Sequence, residues 1–262
     1  MVWSCLVSIL PGMAQTEKLT DYVNPFVGTD GYGNVYPGAQ IPFGGIQISP
    51  DTDSRFYDAA SGYKYNHLTL MGFSLTHLSG TGIPDLGDFL FIPGTGEMKL
   101  EPGTHEDPDQ GYRSRYSHDK EWASPNYYAV ELADYGVKAE MTSGVRSGMF
   151  RFTYPESDNA FIMIDMNHTL WQSCEWSNLR MINDSTITGY KLVKGWGPER
   201  HVYFTATFSK KLTGLRFVQD KKPVIYNTSR FRSSYEAWGK NLMACISFDT
   251  KAGEEVTVKT AI

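Results

Sequence analysis

The sequence predicts an all-β protein: one large antiparallel β-sandwich, a super-sandwich of about twelve to sixteen short strands. Aromatic residues make up 14% of the 262 residues, and aromatic side chains are enriched in strands. The chain also contains 25 Gly and 13 Pro, which interrupt regular structure at short intervals. Between these residues, apolar and polar side chains alternate with the period of two that is typical of strands.

The first fifteen residues read as an export segment. Residues 1–15 are apolar and end in small residues, like a secretory signal that lacks its basic start, although Val2 to Cys5 also imperfectly resembles a lipoprotein processing site. We therefore predict a residual secretory signal over residues 1–15, a single sandwich domain over residues 16–262, and a periplasmic or secreted location. No stretch reaches the ~18 apolar residues of a membrane span.

The charge pattern argues against nucleic acid as a partner. The formal net charge is −5 and the sequence has no basic run, so the chain lacks the positive footprint that nucleic acids and anionic membranes require. A neutral ligand is the simpler expectation.

A Gly- and Pro-rich segment over residues 21–50 is incompatible with a helix and predicts an ordered loop between short strands. Residues 28–38, called the first loop below, have neither a GxGxxG nor a GK[ST] pattern, so a phosphate-binding loop is not indicated. The loop instead offers backbone amides and small polar side chains suited to a neutral polyhydroxylated ligand. The predicted substrate-binding residues of the first loop are Thr29, Asp30, Gly31, Asn34 and Tyr36.

Residues 51–65 are polar and rich in turn-forming residues, which predicts an exposed excursion. Its exposed aromatic residues would be Tyr57, Tyr63 and Tyr65. Asp51 and Asp53 have the alternate spacing of a calcium loop, but the pattern is not continued and no closing Glu follows. We interpret both as solvated turn carboxylates.

A predicted strand over residues 71–78 leads into a second glycine-rich loop, residues 79–88, which we expect to lie beside the first loop. Its predicted ligand contacts are His77, Gly80, Thr81 and Asp85. For His77 the alternative is a core histidine bonded to a backbone carbonyl. Asp88 is predicted to cap a turn.

The remaining chain continues the strand pattern. Residues 161–164 are apolar on both faces and predict a central strand. Glu140 is predicted to face outward, and the cluster around His105 is predicted to be a solvated face and not a metal site. The other predicted strands cover residues 89–93, 97–100, 127–132 and 137–142 as a hairpin, 146–154, 186–190, 202–208, 242–248 and 255–262.

Two further features leave alternatives open. Trp196 lies between glycines at a predicted loop tip, where its indole can stack on a sugar ring or pack into the core. Cys174 and Cys245 can form one disulfide or remain two buried thiols.

Three ordered blocks resemble the N-terminal domain of the glycoside hydrolase family 92 α-mannosidases. They are VNPFVGTDGYGNVYPGAQIPFGGIQISPDT, GFSLTHLSGTGIPDLGDFLFIPGTGE and YYAVELADYGVKAEMTSGVRSGMFRFTYP, at residues 23–52, 72–97 and 127–155. The likeness is looser after Pro155. The resemblance implies a calcium-dependent, inverting exo-mannosidase in which a β-sandwich packs on a helical (α/α) barrel that carries the catalytic carboxylates.

The expectation is therefore the N-terminal, sugar-site-shaping domain of an α-mannosidase of α-1,2 type, acting on a mannose-containing glycan. The chain stops within a predicted strand, so we expect it to be truncated, with the catalytic residues and the Ca²⁺ ligands after Ile262 and no metal ligands within it. A stand-alone carbohydrate-binding module or a structural sandwich is the alternative.

Overall fold

The computed structural model describes residues 17–54, 59–225 and 236–262, and the predicted export segment and Tyr57 lie outside them. Within these residues no helix is long and apolar enough to cross a membrane. The described strands are β1 (Ser49–Asp51), β2 (Thr69–Leu70), β3 (Gly72–Ser74), β4 (Leu90–Thr95), β5 (Ser114–Arg115), β6 (Glu121–Ser124), β7 (Tyr127–Leu132), β8 (Val137–Ser143), β9 (Ser147–Tyr154), β10 (Ser157–Asp165), β11 (Ser173–Asn183), β12 (Thr186–Lys194), β13 (Arg200–Phe208), β14 (Gly214–Gln219), β15 (Lys222–Pro223), β16 (Glu236–Gly239), β17 (Leu242–Thr250) and β18 (Glu254–Ala261).

These strands form two large antiparallel sheets and confirm the predicted all-β sandwich. The seven-stranded sheet has the order β1-β3-β4-β10-β17-β14-β15. The nine-stranded sheet has the order β16-β11-β12-β13-β18-β9-β8-β7-β6, while β2 and β5 pair separately. Alternating side chains of the two sheets, such as Phe150 and Phe152 on β9 and Ile162 and Ile164 on β10, meet in one apolar core.

Strand β10 is buried on both faces, as residues 161–164 predict. Ile162 and Ile164 point into the main core, whereas Phe161 and Met163 belong to a second apolar cluster on the other face of the seven-stranded sheet. The strand lies between β4 and β17 and pairs with both. The continuous apolar run is the signature of such a doubly covered strand.

Several element predictions are confirmed and others are wrong. The hairpin of β7 and β8 and the strands β9, β12, β13, β17 and β18 lie where the sequence places them, within a few residues. Residues 97–100 are not a strand; they form bends, and Met98 packs against the second apolar cluster instead. The eleven-residue strand β11 was not predicted. Glu140 lies on the outer face of its sheet as predicted, but it is not exposed there, because it is buried and accepts hydrogen bonds from Arg151 and Tyr127.

Candidate functional site

The two glycine-rich loops lie side by side at one end of the sandwich. The amide of Gly80 in the second loop donates to the backbone oxygen of Asn34 in the first loop at 2.7 Å. The ring centroids of Tyr36 and His77 are 5.0 Å apart. This contact confirms the predicted adjacency of the loops.

The first loop is a rigid turn that keeps part of its polar surface for solvent. Thr29 is buried, and its hydroxyl donates to the backbone oxygen of Phe26 at 2.8 Å. Asn34 is also buried, and its Oδ1 has no hydrogen-bond partner among the described residues. Tyr36 is buried and donates to Gln40. By contrast, Asp30 is exposed.

Lys64 fixes the tip of the first loop from below. Its Nζ donates to the backbone oxygen of Gly31 at 2.6 Å and lies 5.9 Å from the ring centroid of Tyr32. The amide of Tyr65 donates to the oxygen of Thr29 at 2.9 Å. The loop therefore presents Asp30, Gly31 and the strongly exposed Tyr32 on a backbone that is tied down on two sides.

Residues 195–197, a loop tip that contains Trp196, lie beside the second loop. Asp85 is buried and accepts from the amides of Leu86 at 2.6 Å and Trp196 at 3.2 Å, so its carboxylate joins the two segments. The Trp196 side chain is 57% exposed and is not part of the core. Gly80 is exposed, and the hydroxyl of Thr81 donates to the oxygen of Ile83 at 2.8 Å.

A buried Asp51 holds two histidines beneath the loops. Its two oxygens lie 2.8 Å from the Nε2 atoms of His77 and His168. Burial opposes ionisation of Asp51, but the charge of His77 and the hydrogen bonds of both histidines hold the pKa of the carboxyl well below its usual range. His77 Nδ1 also donates to the backbone oxygen of Gln47 at 2.8 Å, so the geometry is that of the alternative reading, a buried histidine bonded to a backbone carbonyl.

A second buried carboxylate, Asp88, lies between two cations from the other sheet. Lys191 Nζ is 3.1 Å from its Oδ1, and Arg200 and the hydroxyl of Thr76 bond its Oδ2. Burial opposes ionisation here too, but Lys191 and Arg200 outweigh it and keep the pKa of Asp88 below its usual value. The predicted turn-capping role is therefore wrong: Asp88 is a buried ion partner that links β12 and β13 to the second loop.

The two carboxylate centres form one buried network. Lys191 Nζ, which pairs with Asp88, also donates to the backbone oxygen of His168 at 2.6 Å, and His168 bonds Asp51. The network therefore runs from β1 in the seven-stranded sheet to β12 and β13 in the nine-stranded sheet, directly under both loops.

The predicted exposed excursion over residues 51–65 is wrong for most of its described part, although Tyr65 is exposed as predicted. Asp51 and Asp53 are fully buried, and so is Tyr63, whose hydroxyl donates to Glu121 at 3.0 Å. His105 does not sit on a solvated face, because its Nε2 lies 3.2 Å from Asp53. These polar residues form buried pairs. The amino-acid composition of a segment does not reveal that its polar groups are paired and buried.

A cleft of about 850 Å³ opens beside the loop end, on the outer face of the seven-stranded sheet. Trp171, 62% exposed, stands on its rim. Asp165 at the end of β10 lines it, and burial raises the pKa of this carboxyl. The floor is apolar and includes Met71, Leu100, Tyr112, Val218 and Met243.

The described residues do not fit a calcium site. Calcium takes about six to eight oxygen ligands, whereas Asp51, Asp85 and Asp88 are engaged by histidines, amides and cations of the chain. The described part of the chain contains no group of three or more His, Cys, Asp or Glu arranged for a metal. Cys174 and Cys245 are free buried thiols, so the disulfide alternative is excluded.

The structure defines an all-β sandwich module with two adjoining glycine-rich loops over a buried ion network, and comparison with known proteins gives its family. Residues 22–262 match the Glycosyl hydrolase family 92 N-terminal domain, and the chain belongs to glycosyl hydrolase family 92.

Three similar proteins are longer than this chain. An uncharacterized secreted glycosidase of Arthroderma benhamiae is 30% identical over 139 residues, which cover 52% of this chain and 17% of the relative. The structure of the family 92 glycosyl hydrolase ccman5 has a TM-score of 0.76 and 26% identity over 92% of this chain and 32% of that one. The family 92 inverting mannosidase of Bacteroides thetaiotaomicron has a TM-score of 0.74 and 25% identity over 94% and 32%. The chain thus spans about a third of these solved chains.

Sequence reasoning missed the residues that hold the site together. His168 is 117 positions from Asp51, and Arg200 is 112 positions from Asp88. Each lies in a polar or aromatic segment with no local pattern that marks burial. The one available signal was the placement of single cations, Lys191 and Arg200, on otherwise strand-like segments.

Proposed function

We propose that this chain is the N-terminal domain of an α-mannosidase of α-1,2 type that removes terminal mannose from glycans with inversion, and that it shapes one wall of the sugar site. The observation that carries the proposal is the family match over residues 22–262 together with a fold similar to an inverting mannosidase over 94% of the chain. We also infer export to the periplasm or the medium, in line with the secreted glycosidase among the relatives.

The proposed sugar contacts divide by exposure. Asp30, Gly31, Gly80 and Trp196 are exposed and Thr81 is partly exposed, so that the loops present a carboxylate, a hydroxyl and an indole. Such groups suit a neutral sugar, whose hydroxyls take hydrogen bonds while its apolar face stacks on an aromatic ring.

The buried members of the predicted set act as supports. The side chains of Thr29, Tyr36, His77 and Asp85 bond backbone or side-chain groups of the chain itself. Asn34 Nδ2 donates to the backbone oxygen of Tyr32 at 3.3 Å, and its buried Oδ1 has no hydrogen-bond partner among the described residues. These residues set the positions of the accessible ones, as a rigid supporting layer does in a preorganised site.

The hydrolytic chemistry is assigned to another part of the protein. Inversion needs a general acid and a general base about 6.5 to 9.5 Å apart, with a water between base and sugar. Asp51, Asp85 and Asp88 are committed to donors of the chain and cannot take either role. We infer that the acid, the base and the Ca²⁺ ligands lie in a partner domain, an (α/α) barrel of the same protein.

The test compares the full-length protein with the 262-residue chain on α-1,2-, α-1,3- and α-1,4-linked mannobiosides with calcium present. The full-length protein is expected to release β-mannose first, visible by proton NMR, and fastest from the α-1,2 linkage. The 262-residue chain alone is expected to release none.

Turnover by the isolated chain that survives removal of contaminating mannosidase would contradict the assignment and require a catalytic pair among Asp30, Asp85, Asp88 and Glu175. Glycan binding without hydrolysis by the full-length protein would instead favour a carbohydrate-binding module.

A further inference from the structure

We propose that the cleft beside Trp171 is a second sugar subsite, which binds a neutral pyranose unit of the glycan next to the two loops. The inference rests on the proposed function in one respect only, that the ligand is a mannose-containing glycan. The cleft, with a volume of about 850 Å³, falls in the range of small-molecule sites, about 300 to 1,000 Å³.

Trp171 is held at the rim by a strained turn. Its φ is +74°, a left-handed conformation that a tryptophan seldom adopts, and its side chain is 62% exposed. The neighbours fix the turn: the amide of Leu170 donates to the oxygen of Leu86 at 2.9 Å, and Gln172 Nε2 donates to the oxygen of Pro84 at 2.9 Å. Strain kept by such fixed neighbours is typical of binding positions.

The cleft combines this aromatic rim with polar groups and an apolar floor. Gln172 lines the cleft, and its buried Oε1 is an acceptor without a hydrogen-bond partner among the described residues. Asp165 adds a carboxyl whose Oδ1 accepts from the amide of Asn167 at 2.8 Å and whose pKa is raised by burial. Apolar floor residues such as Met71 and Met243 suit the carbon-bound face of a pyranose.

The charges of the cleft indicate a neutral ligand. Lys221, the one lysine or arginine among the described lining residues, pairs with Glu101 at 2.6 Å. The carboxylate of Asp220 accepts from Asn241 at 2.8 Å. An anionic ligand such as a phosphate would find no unpaired cation among these residues, whereas a neutral sugar needs none.

The position of the cleft favours a unit of the same glycan. The turn that carries Trp171 is bonded to Pro84 and Leu86, which belong to the second loop, so the rim of the cleft adjoins the loop end. A chain of two or three sugar units can therefore contact the loops and the cleft together, and the second contact raises the affinity by effective concentration.

The test measures binding of thio-linked, non-hydrolysable mannobioside and mannotrioside to the full-length protein by calorimetry. The key variant is Trp171→Gly, because glycine accepts φ near +74° without strain and removes the ring while keeping the fold. Trp171→Phe retains an aromatic ring. Trp122→Ala is the matched control, since Trp122 is exposed on β6 at the far edge of the nine-stranded sheet.

For Trp171→Gly we expect the Kd of the trisaccharide to rise about three- to tenfold, the size of one lost aromatic contact, and the Kd of the disaccharide to change less. Trp171→Phe should recover most of the affinity, and Trp122→Ala should match the unchanged protein. Unchanged trisaccharide binding in Trp171→Gly overturns the subsite. Equal losses for both ligands also overturn it, by placing Trp171 in the main site.

Hydrolysis by the unchanged protein is assayed separately on α-mannobiosides. Absence of hydrolysis with Trp171-dependent binding refutes the enzymatic proposal and leaves the subsite standing. Hydrolysis with Trp171-independent binding refutes the subsite and leaves the enzymatic proposal standing. The failures of the two proposals are therefore distinguishable.

Discussion

Three buried carboxylates, Asp51, Asp85 and Asp88, support the two glycine-rich loops from beneath, and each accepts hydrogen bonds from donors of the chain. At the scale of residues, this arrangement separates side chains that can meet a ligand from side chains that keep the backbone in place. The distinction has measurable consequences, because removing a support leaves its partners charged and buried.

Asp88→Asn is expected to lower the free energy of unfolding by about 3 to 5 kcal/mol, since Lys191 and Arg200 lose the charge that compensates their burial. The measurement is denaturant unfolding of the 262-residue chain. Asp109→Asn is the matched control, because Asp109 also pairs with an arginine, Arg115, but is exposed to solvent. Equal effects of the two substitutions would show that the charge of Asp88 does not compensate the burial of Lys191 and Arg200.

Asp30→Ala and His77→Ala are expected to differ in their effects on activity and on thermal stability. Asp30 is exposed, so its removal should lower kcat/KM of the full-length enzyme several-fold to about a hundredfold with little change in Tm. His77→Ala should lower Tm as well, because it leaves Asp51 buried with one histidine fewer. Activity and thermal unfolding of both variants are compared; an unchanged Tm in His77→Ala would contradict the supporting role.

Part of this residue-scale assignment follows from sequence and part does not. Glycine-rich loops with small polar residues are recognisable locally, which is why Asp30, Gly80 and Thr81 are both predicted and accessible. The burial of Asp51 is not recognisable, because its partner His168 reaches it only through the packing of loops that are far apart in the chain.

At the scale of elements, the first loop depends on a close approach of two backbone segments. Gly38 lies against the strand β1: a Cβ at this position would come 2.1 Å from the oxygen of Ile48. The neighbouring Ala39 exchanges backbone hydrogen bonds with Ile48 at 2.8 and 3.0 Å. The root of the first loop is therefore sensitive to one added methyl group.

Gly38→Ala is expected to destabilise the chain by about 1 to 3 kcal/mol, because backbone and not a flexible side chain must give way. Gly82→Ala in the second loop is the control, since no atom lies within 4 Å of its added Cβ. Denaturant unfolding of both variants checks the difference. A Gly38→Ala variant as stable as Gly82→Ala would contradict the close approach.

Strand prediction is confirmed where apolar and polar residues alternate regularly and fails where an exposed aromatic residue lies next to a buried polar one. The hairpin of β7 and β8 alternates regularly and was predicted. Strand β11 was missed because its Trp176 is exposed while the polar Ser177 is buried and bonds the oxygen of Gly239. At these two positions of β11 the burial pattern is therefore the reverse of the one that hydrophobicity predicts.

At the scale of the whole molecule, buried ionised carboxylates make stability depend on pH. Glu140 takes a bidentate hydrogen bond from Arg151, and this bond lowers the pKa of its carboxyl from 4.5 to about 2. Because the folded pKa lies below the unfolded value, the unfolded chain binds more protons in this range. The contribution of Glu140 is present above pH 4.5 and is lost as pH falls towards 2.

Glu140→Gln should therefore lower the free energy of unfolding at pH 7. It should also make the decline of this free energy between pH 4.5 and about 2 less steep. The measurement is urea unfolding at a series of pH values. Glu131→Gln, on the neighbouring strand β7, is the control for the loss of one negative charge. A Glu140→Gln profile parallel to that of the unchanged chain would exclude this origin of the acid sensitivity.

The two free thiols can be used to measure how the sandwich opens. Cys174 lies on β11 in the nine-stranded sheet and Cys245 on β17 in the seven-stranded sheet, and burial raises the pKa of both thiols. Because Cys245 is fully buried, a thiol reagent can modify it only when its sheet opens, whereas Cys174 lines the cleft. In a Cys5→Ser background, the labelling rate of Cys245 would therefore report the opening of the seven-stranded sheet, with Cys174 as the reference for a thiol beside the cleft.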